Sequence, residues 1–205
     1  MIAIIDYGVG NLFSLSSSFK AIGADTIITG DAEVIKAADK LVLPGVGAFG
    51  DAASKLHECG LYDVIKREAE GGKPLLGICL GMQLLFERSF EYGIHKGLGL
   101  LSGDIVPMED RIQSGLKIPH IGWNKLKFTK DSPLFKHIND GDFVYFVHSY
   151  FAENCEDSLA ATTDYGKDLT AVVSKDNIFG CQFHPEKSGD TGLKILRAFC
   201  ETERL

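Results

Sequence analysis

Short apolar runs alternate with helix-like periodicity along the first half of this chain. The runs fall at residues 2–5, 26–28, 41–43, 75–78, 143–147, 171–173 and 178–183. Several are continuous rather than alternating, the pattern of strands covered on both faces. Between the early runs, Leu12, Leu15, Phe19 and Ile22 recur at helical spacing behind Asn11, a natural N-cap. Residues 61–70 and 80–88 also read as helices. A last helix, over Leu193–Cys200, carries Leu193, Ile195, Leu196 and Phe199 on one stripe, with Ser188 or Asp190 as its cap. Strand and helix in alternation predict an α/β fold: an open, mostly parallel sheet flanked by helices. Residues 97–180 carry more strand and turn signals, which predicts an antiparallel extension. No linker or repeat interrupts the chain, so residues 1–205 are expected to form a single domain.

Composition narrows the class. The 205 residues are 45% hydrophobic, and 28 acidic against 21 basic side chains give a formal charge of −7. That balance, with no clustered basic stripe, speaks against nucleic acid as a partner. No apolar run is long enough to span a bilayer. The opening Met1-Ile2-Ala3-Ile4-Ile5-Asp6 reads as a strand rather than a signal peptide, so a cytoplasmic protein is expected. Cys59, Cys79, Cys155, Cys181 and Cys200 are odd in number and form no C-x-x-C pair, which argues for reduced thiols rather than disulfides or a zinc knuckle.

One thiol stands out. Cys79 lies between Gly77 and Gly81, where the run ending at Ile78 gives way to a helical pattern. A cysteine on a glycine-flanked strand-to-helix turn is a nucleophile elbow with sulfur in place of oxygen. The glycines are expected to tolerate the turn and leave room for substrate, and the following helix N-terminus to favour thiolate. The other four cysteines read as small core residues. A thiol nucleophile needs a base and an orienting group. His184-Pro185-Glu186, directly after another strand, supplies both: the imidazole for proton transfer, the carboxylate to hold its tautomer. An oxyanion needs amide donors. Leu80 N–H follows the nucleophile, and Pro44-Gly45-Val46-Gly47 at a strand end offers Val46 or Gly47 N–H. His120 and His148 read as structural rather than proton-transferring.

P-G-V-G at 44–47, G-I-C-L-G-M-Q at 77–83 and F-H-P-E-K-S at 183–188, in this order and spacing, resemble the class I (triad) glutamine amidotransferases, a flavodoxin-like fold. Residues 6–12 (D-Y-G-V-G-N-L), 119–124 (P-H-I-G-W-N) and 146–150 (F-V-H-S-Y) resemble the amidotransferase subunits of imidazole glycerol phosphate synthases of histidine biosynthesis. The resemblance implies glutamine hydrolysis through a Cys79 thioester, with no metal or other cofactor. It implies glutamine contacts from Gln83, the backbone of His148, Ser149 and Tyr150, and the Glu91 carboxylate. It further implies a heterodimer with a (β/α)8-barrel cyclase that receives the ammonia. Asn11, Trp123, Asn124, Tyr145 and Lys187 are the docking-face candidates on that reading. The rival readings are an amidotransferase for another synthase, a free-standing γ-glutamyl hydrolase, and a non-catalytic module that kept the fold.

Overall fold

The computed structural model describes residues 1–109 and 111–204. Its first part alternates strand and helix: β1 (Ile2–Ile5), α1 (Leu12–Ala21), β2 (Thr26–Thr29), α2 (Ala32–Ala37), β3 (Lys40–Leu43), α3 (Phe49–Glu58), α4 (Tyr62–Glu70), β4 (Leu75–Ile78) and α5 (Leu80–Gln83), with α2 and α3 additional to the helices expected from the sequence. Strands then dominate: β5 (Phe86–Ser89), β6 (His95–Lys96), β7 (Leu101–Pro107), β8 (His120–Lys125), β9 (Lys127–Phe128), β10 (Phe143–His148), β11 (Tyr150–Glu153), β12 (Leu159–Asp164), β13 (Asp168–Lys175) and β14 (Ile178–Cys181), before α6 (Gly189–Cys200).

The main sheet has the order β2-β1-β3-β4-β14-β13-β12-β9. Its first five strands are parallel, and β13, β12 and β9 extend it antiparallel. β1, β3, β4 and β14 are nearly wholly buried because helices cover both faces, which is why their runs do not alternate. Apolar side chains pack as one cluster on each face. The antiparallel part is not one extension. β10 and β8 form a separate ribbon, and β11-β7-β5-β6 form a third sheet in which β5 and β7 run parallel. Among the described residues, no helix is long and apolar enough to cross a membrane.

Four expectations need correction. The helix expected over 80–88 stops at Gln83. The carbonyls of Leu84, Leu85 and Phe86, which would continue it, instead accept Leu98, Leu100 and Gly99 N–H at 2.7, 2.9 and 3.1 Å. Gly97 allows that approach, since a Cβ there would strike the carbonyls of Phe86 and Leu84. Cys59 is not a core residue: it is exposed, just past the end of α3. α6 starts four residues earlier than its apolar stripe, at Gly189. Ser188 holds the N-cap position but does not cap. Its hydroxyl donates to His184 O (2.7 Å) and accepts Tyr145 N–H (2.9 Å), tying the turn after β14 to β10.

Candidate active site

β4 and β14 are adjacent and parallel, with Ile78 opposite Cys181. Their carboxyl ends therefore deliver Cys79 and His184 into one crevice, the usual place for chemistry on a parallel sheet. Cys79 adopts φ +54°, ψ −112°, a conformation rare for a non-glycine residue, as on a nucleophile elbow. Its own N–H is fixed to Cys181 O at 2.7 Å. The flanking glycines serve the backbone rather than the substrate. A Cβ on Gly81 would strike Leu43 O, and one on Gly77 would lie 2.6 Å from Gly81 O. The expected help from a helix N-terminus is slight, because α5 has only four residues and a macrodipole needs aligned turns.

His184 is buried, with its backbone N–H on Tyr145 O at 3.0 Å. Nδ1 meets Glu186 Oε1 at 2.8 Å, so Nδ1 carries the hydrogen and the other ring nitrogen is left for Cys79. Burial pushes the imidazole pKa down. The hydrogen bonds to Cys79 and Glu186, together with the charges of the same groups, outweigh it and set the pKa at about 9. Among the described residues Glu186 Oε2 is buried without a hydrogen-bond partner, which leaves the carboxylate directed at the imidazole. Burial pushes the thiols of Cys155, Cys181 and Cys200 up, which keeps them protonated.

A cleft of about 610 Å³ opens over this pair. Val46, Gly47, Leu80, Gln83, Glu91, His148, Ser149, Tyr150 and Lys187 all line it with Cys79 and His184. Among the described residues the N–H groups of Val46, Gly47 and Leu80 donate to no protein acceptor. Gly47 takes φ +94° with open space around its Cα, and Tyr7 Oη anchors the base of that loop by donating to Pro44 O at 2.8 Å. Glu91 Oε2 accepts Phe49 N–H at 2.6 Å, so the carboxylate sits between the cleft and the start of α3.

His148 Nδ1 lies 2.9 Å from Tyr150 O. A carbonyl only accepts, so Nδ1 holds the hydrogen and Nε2 is an acceptor. His120 Nδ1, at 3.1 Å, must donate to it, and His120 Nε2 accepts Asn124 Nδ2–H at 3.4 Å. Both rings are thus satisfied while neutral. Burial agrees, lowering the pKa of His120 to about 4 and of His148 to about 3. They form a structural network rather than proton carriers.

The docking candidates are distributed over four places, one of them the cleft, which Lys187 lines. Trp123 and Tyr145 are cross-strand partners on the outward face of the β8–β10 ribbon, ring centroids 6.0 Å apart, and Trp123 is 55% exposed. Asn124 lies on the opposite face from Trp123 and also donates to Asp164 O at 2.8 Å. Asn11 is the N-cap of α1 and accepts Ser14 N–H at 3.4 Å.

The sequence profile of "Glutamine amidotransferase class-I" matches residues 3–202. The chain belongs to the class-I glutamine amidotransferases. It is 54% identical over 202 residues to the "Imidazole glycerol phosphate synthase subunit HisH" of Caldanaerobacter subterraneus subsp. tengcongensis, covering 98% of each chain. It is 51% identical to the subunit of the same name from Sulfurimonas denitrificans over the full length of both. Among solved structures, one described as "Crystal structure of glutamine amidotransferase" superposes with a TM-score of 0.77 over 98% of each chain, at 18% identity, a likeness of fold.

Sequence reasoning passed over one member of this amidotransferase site. Gln182, fully buried two residues before His184, places Nε2 3.8 Å from Cys79 Sγ. The signal was present: an amide embedded in the apolar run 178–183 has to be hydrogen-bonded inside the protein.

Proposed function

We propose that this chain is the glutaminase subunit of an imidazole glycerol phosphate synthase. On this reading it is a cytoplasmic enzyme that hydrolyses glutamine to glutamate and passes the ammonia to a barrel-shaped cyclase subunit. The observation that carries the chemistry is the pairing of a strained Cys79 with the His184–Glu186 dyad at neighbouring strand ends. Cys79 thiolate attacks the side-chain amide carbon of glutamine. The oxygen of the tetrahedral intermediate is received by Leu80 N–H and by Val46 or Gly47 N–H. The His184 imidazolium protonates the departing nitrogen, leaving a γ-glutamyl thioester. The neutral imidazole then takes a proton from water, which attacks the thioester and releases glutamate and the thiolate. Gln83, Glu91 and the backbone at 148–150 fit the role of holding the amino-acid end of the substrate, since all line the cleft.

The identity of the acceptor rests on two supports: full-length relatives that carry the synthase-subunit name, and an exposed apolar face beside the cleft. Ile121, Trp123 and Phe143 are 58%, 55% and 48% exposed on the β8–β10 ribbon, whose Val147 reaches the cleft wall. Such a face suits burial against a partner. The test is glutamine- and ammonia-dependent synthesis by the chain with its cyclase. Cys79→Ala is expected to abolish use of glutamine and retain synthesis from added ammonium. Loss of both, or full activity of the lone chain on γ-glutamyl peptides, overturns the division of labour.

A further inference from the structure

We infer that Gln182 is a catalytic residue whose carboxamide donates to the Cys79 thiolate, and that Gln83 fixes the orientation of that amide from a single backbone carbonyl. This deepens the glutaminase reading and rests on Cys79 being its nucleophile.

The fixed point of the arrangement is Tyr150 O. A carbonyl oxygen can only accept, and Gln83 places its amide 3.2 Å away, so the Gln83 NH2 group, not its oxygen, faces Tyr150. The same nitrogen lies 3.0 Å from the terminal amide of Gln182. A donor there demands an acceptor, so Gln182 presents Oε1 to Gln83. Its own NH2 must then point the other way, where Cys79 Sγ lies at 3.8 Å. One carbonyl thus sets two side-chain amides in series and leaves an N–H on the sulfur. Turning Gln83 over would set oxygen against oxygen at Tyr150, and turning Gln182 over would set one NH2 group against the other between the two glutamines.

All three side chains are buried, so solvent does not relax the arrangement: Gln182 is fully buried, Gln83 5% exposed and Cys79 8%. A thiolate accepts hydrogen bonds readily, whereas a thiol accepts weakly, so a fixed N–H favours the charged form. The donor complements His184, which also hydrogen-bonds the sulfur but must give its proton to the leaving nitrogen. When it does so, the N–H of Gln182 stays, and the sulfur regains a fixed donor as it is expelled from the thioester. Both hydrogens on Gln83 Nε2 are committed in this chain, which leaves its Oε1 as the only atom of that amide for substrate.

The experiment reads the thiolate directly, without turnover or partner. Carbamidomethylation of Cys79 by iodoacetamide, followed site by site by peptide mass spectrometry, is measured against pH in wild type, Gln182→Met, Gln83→Met and the double variant. Methionine keeps shape and removes the donor. Gln182→Met is expected to move the rate profile to higher pH and to slow the reaction about tenfold near neutrality, the effect of losing one hydrogen bond to a charged group. Gln83→Met moves it in the same direction by less, and the double variant matches Gln182→Met. A Gln182→Met profile superimposed on wild type overturns the proposal. So does a double variant much slower than Gln182→Met, which would give Gln83 an independent action. Should Gln182→Met not fold, 15N NMR of wild type decides: the Gln182 carboxamide protons shift with the ionisation of Cys79, and that shift vanishes in Cys79→Ala. Failure of the chain to hydrolyse glutamine in the complex would sink the functional reading while leaving these thiol measurements interpretable.

Discussion

Burial alone would leave His184 neutral at physiological pH. The pKa of about 9 comes from Cys79 and Glu186 overcoming that burial, so the imidazolium is held by both neighbours. Two results are expected. The imidazole is needed as an acid when ammonia leaves, so kcat/KM for glutamine should fall as pH rises through about 9. In Cys79→Ala the largest favourable contribution is gone while burial stays, so NMR titration of the ring should place its pKa below the wild-type value. An unchanged ring pKa in that variant would show that Glu186 alone sustains the charge. The convergence of Cys79, His184 and Glu186 was legible in sequence because each sits in a short motif with its own local geometry: glycines around Cys79, proline between His184 and Glu186. Gln182 and the tautomers of His120 and His148 were not, since their roles are set by what a neighbouring strand's carbonyl can accept.

At the scale of elements, the elbow and the loop facing it use glycine for different reasons, and substitution separates them. Gly81 sits where α5 crosses the end of β3, and an added methyl would drive into Leu43 O, a backbone atom that cannot rotate away. Gly81→Ala should cost about 3 kcal/mol, the upper range for overpacking, measured by urea unfolding. Gly47 has open space but φ +94°. Gly47→Ala should cost only about 1 kcal/mol in strain, yet shift the Val46–Gly47 amides and depress glutamine turnover more than stability. Equal stability losses in the two variants would refute this distinction. In the first half α1, α4 and the parallel strands were readable because local period and burial agree, whereas α2 and α3 were not read. The helix expected over 80–88 was not, because Leu98 to Leu101 take the carbonyls it needed. The split of the antiparallel region into ribbon and third sheet depends on long-range pairing such as β5 with β7, which no local pattern encodes.

For the molecule as a whole, the histidines set the pH of greatest stability. His120 and His148, lowered to about 4 and about 3 by burial, stay neutral in the fold while their unfolded counterparts, near 6.5, bind protons. Stability is therefore lost as pH falls below about 6.5. His184, raised to about 9, acts oppositely: its contribution is complete below about 6.5 and is lost as pH rises through about 9. The two trends meet near pH 6.5, where the unfolding free energy should peak. Two carboxylates intrude only at more acid pH: Asp39, held low by its hydrogen bond to the amino terminus, and Glu201, held low by Lys136 and then His137. Between pH 6.5 and about 5 the slope should thus approach two protons, or about 2.7 kcal/mol per pH unit at its steepest. His120→Phe tests the assignment. Its ring is stacked between Phe146 and Tyr165, at 4.9 and 4.1 Å, so phenylalanine fits the site and removes one titrating group. Urea unfolding at a series of pH values should show the acid-side slope halved in that variant, with the alkaline side unchanged. An unaltered acid slope would mean that His120 is already charged in the native protein, and the neutral chain from Asn124 to Tyr150 O could not then exist.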